Sequence, residues 1–212
     1  MLKIKILSEK GENRLRIKRD FYTNDAVTVA KNLLGKIIVK KRADGKIFSG
    51  RIVETEAYMG AVDKASHSYG NRKTKRTEVM YKEGGYSYVF LIYGMYDCFN
   101  VTASCEDNPE AVLIRGIEPL ENKELMFSER KVKKEKDISN GPGKLTKALG
   151  ITREDNGADL IISDTIWLED DGYIADSRDI IETTRIGIDY AEEDALKPWR
   201  FYIKDNIFVS KK

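Results

Sequence analysis

Apolar and polar positions along the chain predict helices and strands in a mixed order. Residues 25–34, DAVTVAKNLL, have apolar side chains at helical spacing, and Asn24 or Thr23 is suited to cap the helix start. Gly35 is suited to end it. Two strand-like runs follow, GKIIVKK and IFSGRIVETEAY, around the turn signal Ala43-Asp44-Gly45. The first quarter of the chain therefore predicts one helix and a pair of strands.

The middle of the chain predicts a β-hairpin with an unusual turn. Two β-rich arms, residues 86–92 and 97–103, flank a turn near Tyr93-Gly94-Met95-Tyr96. Small polar residues usually occupy such turns, so the two tyrosines need a partner or a core to fold into. The run AVLIRGIEP from residue 111 predicts a third strand.

The remaining segments complete a prediction of the fold class. Residues 123–136 indicate a solvated helix or loop, and residues 140–150 have Pro142 and Gly150 where a helix starts and ends. Three strand-like pieces, LIIS, RIGIDY and WRFYIK, alternate with acidic turns. We expect an α+β fold: a single domain on a curved, mostly antiparallel β-sheet, with flanking helices and a protruding β-hairpin.

Two segments carry candidate chemistry. If VETEAY is a strand, Glu54, Glu56 and Tyr58 share one face. Two close carboxylates disfavour each other's ionisation, as in an acid/base site, but a solvated outer face would look the same. The polar stretch 59–85 holds the sole histidine, His67, and the basic run NRKTKR. Such a long polar stretch is usually functional or disordered.

Composition and charge narrow the class of protein. The 212 residues are 41% hydrophobic and 34% charged, which is typical of a soluble globular chain. Residues 1–51 carry fourteen Lys and Arg against five Asp and Glu, whereas residues 154–194 carry fourteen acids and two bases. This polarity suits a polyanion bound on one side, although chance variation between the two halves explains it equally well.

Several classes of site are not expected. One histidine and two cysteines, Cys98 and Cys105, fit no zinc pattern, and no nucleotide-binding or GxSxG motif occurs. We therefore expect no metal and no cofactor. No apolar run is long enough to cross a bilayer, and no signal peptide is visible. A cytoplasmic or nucleoid-associated protein (nuclear in a eukaryote), not secreted, is expected.

Several motifs together resemble the alkyladenine (3-methyladenine) DNA glycosylase family. They are LLGKIIVKK, GRIVETEAYMG, ASHSYG, YVFLIYGMYDCFNV, AVLIRGIEPL, NGPGKLTKALGI and KPWRFY, in family order with near-family spacing. The resemblance runs from about Phe21 to Phe208. It implies a segment, residues 1–20, outside a glycosylase domain of residues 21–212. It also implies excision of alkylated or deaminated purines from double-stranded DNA by a monomeric hydrolase.

The resemblance implies a role for each of seven residues. Glu56 is the general base and Arg115 helps to hold the attacking water. Tyr93 enters the duplex where the nucleotide has flipped out. The base-binding residues implied are Tyr58, His67, Phe90 and Asn100. Phe90 replaces the tyrosine of the best-known members, so the stacking face is kept and the hydroxyl is lost. No role is implied for Glu54, for which structural hydrogen bonding is our expectation.

Two other functions share some of these features. A binding module that recognises damaged or flipped bases without chemistry would need the same aromatic and basic residues, but would have no use for Glu56 beside a phosphodiester. An acyl- or formyl-transferase-related domain of the same fold would need a nucleophile or cofactor motif, and none is visible.

Overall fold

The computed structural model describes residues 14–211. Nine strands and four α-helices occur in this part of the chain. They are β1 Leu15–Arg16, α1 Arg19–Tyr22, α2 Ala26–Leu33, β2 Ile37–Lys41, β3 Ile47–Tyr58, β4 Ser87–Ile92, β5 Tyr96–Ala103, β6 Glu110–Pro119, α3 Lys123–Arg130, α4 Pro142–Leu149, β7 Ile166–Asp170, β8 Ile180–Thr183 and β9 Arg200–Ile203. The predicted segment 1–20 lies partly outside the described residues, and its described part contributes β1 and the start of α1.

All nine described strands belong to one curved antiparallel sheet. The main path is β1-β7-β2-β3-β6-β5-β4, and β9 pairs with both β3 and β8. The twelve-residue β3 joins the parts: its first half pairs with β2, its second half with β9, and its other edge with β6. The predicted α+β class with a mostly antiparallel sheet is confirmed.

The core lies between the sheet and two amphipathic helices. Helix α2 packs on β3 and β6, and α4 packs on β5 and β6. Among the fully buried side chains of this core are Leu33, Phe48, Phe99, Ile114 and Ile117. Removal of this apolar surface from water stabilises the sheet, whose opposite face carries the candidate site.

The predicted cap of α2 was wrong by one or two residues. Asp25 caps the helix instead of Asn24 or Thr23, because its carboxylate accepts the Thr28 backbone N–H at 3.0 Å. An N-cap side chain must reach the N–H two or three residues ahead, and Asp25 stands at that distance from Thr28. Gly35 follows the helix with a φ of +89°, the left-handed conformation that glycine commonly adopts just after a helix end.

Two of the three predicted C-terminal strands were also wrong. LIIS forms a turn in which the Asp159 carboxylate accepts the Ile161 N–H, so a local side-chain bond replaces sheet pairing. RIGIDY crosses the sheet end as an irregular segment, with Gly187 at a φ of +75°. The third piece contains β9, and the hairpin, the strand from residue 111 and helix α4 are all present.

Candidate active site

Four neighbouring strands present side chains to one cavity of about 380 Å³. Because strand residues alternate between faces, three alternate residues from each of β4, β5 and β6 line the cavity. These residues are Tyr88, Phe90 and Ile92 on β4, Tyr96, Cys98 and Asn100 on β5, and Ala111, Leu113 and Arg115 on β6. Tyr58 at the end of β3 and His67 in the 59–85 segment complete the wall. The volume lies in the usual range for small-molecule pockets, roughly 300–1,000 Å³.

The structure brings six of the seven predicted site residues to the wall of this cavity. They are Tyr58, His67, Phe90, Tyr93, Asn100 and Arg115. The seventh, Glu56, is fully buried directly behind the wall. Its Oε2 accepts the Tyr58 hydroxyl at 2.9 Å and Arg115 Nη1 at 3.3 Å, and both of those residues line the cavity. Its Oε1 accepts the backbone N–H of Ile186 at 2.8 Å.

Arg115 joins the two glutamates of VETEAY. Its Nε donates to Glu54 Oε1 at 3.2 Å while its Nη1 contacts Glu56. Burial alone would lower the pKa of Arg115, but the carboxylates of Glu56 and Glu54 outweigh burial and raise it. Burial and the Glu56 carboxylate raise the pKa of Tyr58 far above its ordinary value, so its phenol stays protonated and donates to Glu56. VETEAY is therefore a buried ionic network, and the interpretation as a solvated face is wrong.

Glu54 is held differently from Glu56. Besides Arg115 it accepts Arg200 Nη1 at 2.9 Å, the Ser210 N–H at 2.7 Å and the Ser210 hydroxyl at 2.9 Å. The C-terminal residues lie this close because Gly116 has no side chain: a Cβ there would stand 2.5 Å from the Phe208 carbonyl oxygen. The carboxylate of Glu54 thus accepts four hydrogen bonds. Structural hydrogen bonding is the role that we expect for this residue.

The aromatic wall consists of His67, Phe90 and Tyr88. The His67 and Phe90 rings meet edge to face at 4.6 Å, and Tyr88 lies tilted at 5.3 Å from Phe90. Asn100 donates from its amide to the Tyr88 carbonyl at 2.9 Å, which fixes the amide in the cavity floor. The guanidinium of Arg76 stands 4.9 Å from the Phe90 ring centre. Three aromatic side chains therefore line one side of the cavity.

Tyr93 stands at the tip of the hairpin, at the rim of the cavity. Its side chain is 78% exposed and its φ is +52°. A bulky residue rarely adopts this left-handed conformation, and strained residues of this kind cluster at functional sites. The tip does not fold back into the core, so the interpretation as a core aromatic is wrong.

His67 is held in the neutral form. Arg76 can only donate, so His67 Nε2 accepts from it at 3.2 Å, and the proton on Nδ1 is donated to the Tyr88 hydroxyl at 2.8 Å. Burial, with the charges of Arg76 and Arg72, lowers the pKa of His67 from 6.5 to about 4. A neutral imidazole does not repel a cationic base at neutral pH.

We expect the His67 resonance to titrate near pH 4 in the folded protein and near 6.5 in denaturant. Since the unfolded chain takes up this proton first, stability falls as the pH drops from about 6.5 to 4, by about 2 kcal/mol at pH 5. Because His67 is the only histidine, its imidazole proton signals need no assignment. His67→Gln should abolish this part of the pH dependence of unfolding. A folded-state midpoint at pH 6 or above would contradict the geometry.

Sequence reasoning missed four contributors to the site, one of which is Tyr88. Ile186 binds Glu56 through its backbone, Arg185 stacks on Tyr58 at 4.8 Å, and the Cys98 thiol lines the cavity. Burial raises the pKa of Cys98 to about 11, so the thiol stays protonated. The alternation with Phe90 would have indicated Tyr88, but no sequence pattern marks Ile186 or Arg185. Among residues 14–211 no cluster of three His, Cys, Asp or Glu side chains is suited to hold a metal ion.

Comparison with known proteins gives the family. Residues 20–207 match the family model of the methylpurine-DNA glycosylases (MPG). The chain belongs to the methylpurine-DNA glycosylase family. The alkyladenine DNA glycosylase resemblance is thereby confirmed. The described helices include none that is long and apolar enough to cross a membrane.

Close relatives of the chain carry one name, "Putative 3-methyladenine DNA glycosylase". The protein of Clostridium perfringens strain 13 is 52% identical over 206 residues, which are 93% of this chain and 100% of the relative. The Clostridium novyi strain NT protein is 52% identical over 208 residues, 93% of this chain and 99% of its own length. The Clostridium botulinum strain Hall protein is 50% identical, with 93% and 100% covered. The similarity therefore extends over nearly the whole chain.

Proposed function

We propose that this protein flips an alkylated or deaminated purine out of duplex DNA and hydrolyses its N-glycosidic bond, with Glu56 as the general base. Membership of the methylpurine-DNA glycosylase family makes it a DNA repair hydrolase of the N-glycosylase type. The observation that carries the residue assignments is one aromatic cavity whose inner wall, Tyr58 and Arg115, binds the Glu56 carboxylate.

The aromatic side chains of the cavity suit capture of a flipped base. Tyr58, His67 and Phe90 offer ring faces for stacking, and a positively charged methylpurine gains an additional cation–π attraction. In this proposal Asn100, whose amide is fixed by the Tyr88 carbonyl, crowds the exocyclic 2-amino group of guanine. Phe90 supplies its ring face without a hydroxyl. Base selection in this proposal rests on shape, stacking and charge.

Glu56 is suited to activate the water. Its Oε2 is the oxygen shared with Tyr58 and Arg115 at the cavity wall, whereas Oε1 is held by the Ile186 N–H. The water oxygen attacks the sugar C1′, its proton passes to Glu56, and the electron pair of the N-glycosidic bond leaves with the base. The carboxylate also stabilises the positive charge that develops on the sugar. The product is a free base and an abasic site, without a Schiff base.

The basic segment 71–76 and the hairpin are suited to contact the part of the DNA that stays outside the cavity. Arg72 and Arg76 are exposed beside the cavity mouth, where they would contact backbone phosphates. Tyr93 would fill the gap that the flipped nucleotide leaves. A monomer acting in the cytoplasm or at the nucleoid, without metal, completes the proposal.

The deciding experiment uses duplex DNA that carries one hypoxanthine, or methylated DNA, with EDTA present. Release of free base, detected by chromatography, is expected. Tight and selective binding without base release would favour the binding-module alternative, and release restored only by added metal would overturn the mechanism.

Tyr93→Ala is expected to weaken affinity for a lesion duplex by about 5- to 150-fold, the range for loss of one stacked aromatic. The melting temperature of the protein should not change, because the side chain is exposed. The loss should be smaller on single-stranded substrate, where no stack has to be opened. Ile174→Ala, at an 84% exposed residue that does not line the cavity, is the control. Unchanged duplex affinity would remove Tyr93 from the DNA interface.

A further inference from the structure

Arg185 forms a fully buried cluster at the end of β3, behind the cavity. Its guanidinium binds Asp63 through two hydrogen bonds, at 2.5 and 2.9 Å, and neither side chain is exposed. Nη1 also donates to the Ala57 carbonyl at 3.0 Å, and Nη2 to the Asp194 carbonyl at 3.2 Å. The planar fork of arginine can make these contacts together, which the single ammonium of lysine cannot.

The cluster reaches Glu56 by two routes. The Arg185 guanidinium lies over the Tyr58 ring at 4.8 Å, and the Tyr58 hydroxyl donates to Glu56 Oε2. The next residue in the chain, Ile186, donates its backbone N–H to Glu56 Oε1. Glu56 has three hydrogen-bond partners in the described structure, and Arg185 holds two of them in place. Arg185 itself does not line the cavity.

Stability alone is a poor explanation for this cluster. A buried ion pair loses hydration on both partners, and apolar residues of similar volume often stabilise a fold as well or better. In addition, the Nε of Arg185 is buried without a hydrogen-bond partner, which opposes folding. The contacts are nevertheless specific: Ala57, Asp63 and Asp194, from three separate segments, meet on one guanidinium close to Glu56.

We propose that Arg185 is a positioning residue for base excision, which fixes Tyr58 and Ile186 so that Glu56 keeps Oε2 turned towards the Tyr58 and Arg115 side chains of the cavity wall. This proposal rests on the role of Glu56 proposed above. The other oxygen of Glu56, Oε1, accepts the backbone N–H of Ile186, and this hydrogen bond keeps it from rotating towards the nucleobase. Without the guanidinium, Tyr58 and the 185–188 segment lose their common support, and the carboxylate is free to turn.

The test is Arg185→Lys, which keeps a positive charge for Asp63 but loses the fork and the flat face over Tyr58. Single-turnover base release from a hypoxanthine duplex is followed over a range of enzyme concentrations. The maximal rate per folded molecule should fall by about 10- to 100-fold, as for a small displacement of a catalytic group. The half-saturating enzyme concentration should change by less than about threefold, since the aromatic faces remain.

A second variant and a matched control keep the test decisive. Asp63→Asn, which weakens the grip on the guanidinium at constant volume, should lower the same rate in the same way and covers the case in which Arg185→Lys does not fold. Lys40→Arg is the control, because Lys40 and Asp155 form another nearly buried ion pair, which does not line the cavity. It should leave the maximal rate unchanged.

Three results would overturn the positioning role. They are a wild-type maximal rate in both variants, an equal loss in Lys40→Arg, or a loss confined to the half-saturating concentration. None of them touches the proposed function, which stands if the wild type releases base and Glu56→Gln does not. Absence of base release by the wild type would instead refute the proposed function.

Discussion

Glu56→Gln is expected to lower single-turnover base release by about 10²- to 10⁴-fold, the usual contribution of a general base. The amide has the volume of the carboxylate and still accepts the Ile186 N–H, but it cannot take a proton from water. Binding to a lesion duplex should stay within about threefold, because the aromatic wall and Tyr93 are untouched. The measurements are the release of base from a hypoxanthine duplex with enzyme in excess, and the affinity by fluorescence anisotropy.

The control for this prediction is the folded state of the variant. Arg115 keeps its contact with Glu54 when Glu56 becomes neutral, so the domain should still fold and melt cooperatively. Base release near the wild-type rate by a folded Glu56→Gln protein would show that another group activates the water.

Glu54→Gln is expected to cost mainly stability, about 3–5 kcal/mol, because it leaves two buried guanidinium groups without their shared carboxylate. Arg115 and Arg200 both donate to Glu54 Oε1, which is fully buried. In a chain of this length the loss corresponds to a melting temperature lower by about 6–20 °C. Scanning calorimetry measures it, and the rate of base release per folded molecule should fall less than in Glu56→Gln.

The Ser210→Ala variant distinguishes the stability contributed by the ion pairs of Glu54 from the stability contributed by its uncharged hydrogen-bond partner. It removes one hydroxyl donor to Glu54 and keeps the backbone N–H, so a loss of about 1 kcal/mol is expected. If Glu54→Gln were stable but inactive, and Glu56→Gln unstable but active, the roles of the two glutamates would have to be exchanged.

The sequence predicted the elements whose local pattern is strong. The hairpin, β3 and helix α4 follow from alternation, turn residues and the Pro142 and Gly150 signals. The alternation of VETEAY predicts that Glu54 and Glu56 share a face, and in the structure both contact Arg115. This holds although the register of β3 against β6 shifts between Ile52 and Thr55. These features depend on neighbours in the sequence, or on pairing with the next strand.

The rest depends on contacts between distant residues. RIGIDY alternates like a strand, but the ion pair of Arg185 with Asp63, 122 residues away, holds it as an irregular segment. The hydrogen bonds that distinguish Glu54 from Glu56 come in part from Ser210, 156 residues after Glu54. The left-handed backbone of Tyr93 has no sequence signal, since a tyrosine is not expected there. Local patterns contain no information on such contacts.

The hydrogen bonding between Ser210 and Glu54 has a consequence for the folding of the chain during its synthesis on the ribosome. The two residues are 156 positions apart, and at 5–20 residues per second translation needs about 8–30 s to pass from one to the other. During that interval the nascent chain carries Glu54 without one of its partners, and β3 lacks β9 at its second half. The two hydrogen bonds from Ser210 to Glu54 form only after Ser210 has emerged from the exit tunnel. A chain that has not reached Ser210 therefore lacks two of the four hydrogen bonds that the Glu54 carboxylate accepts.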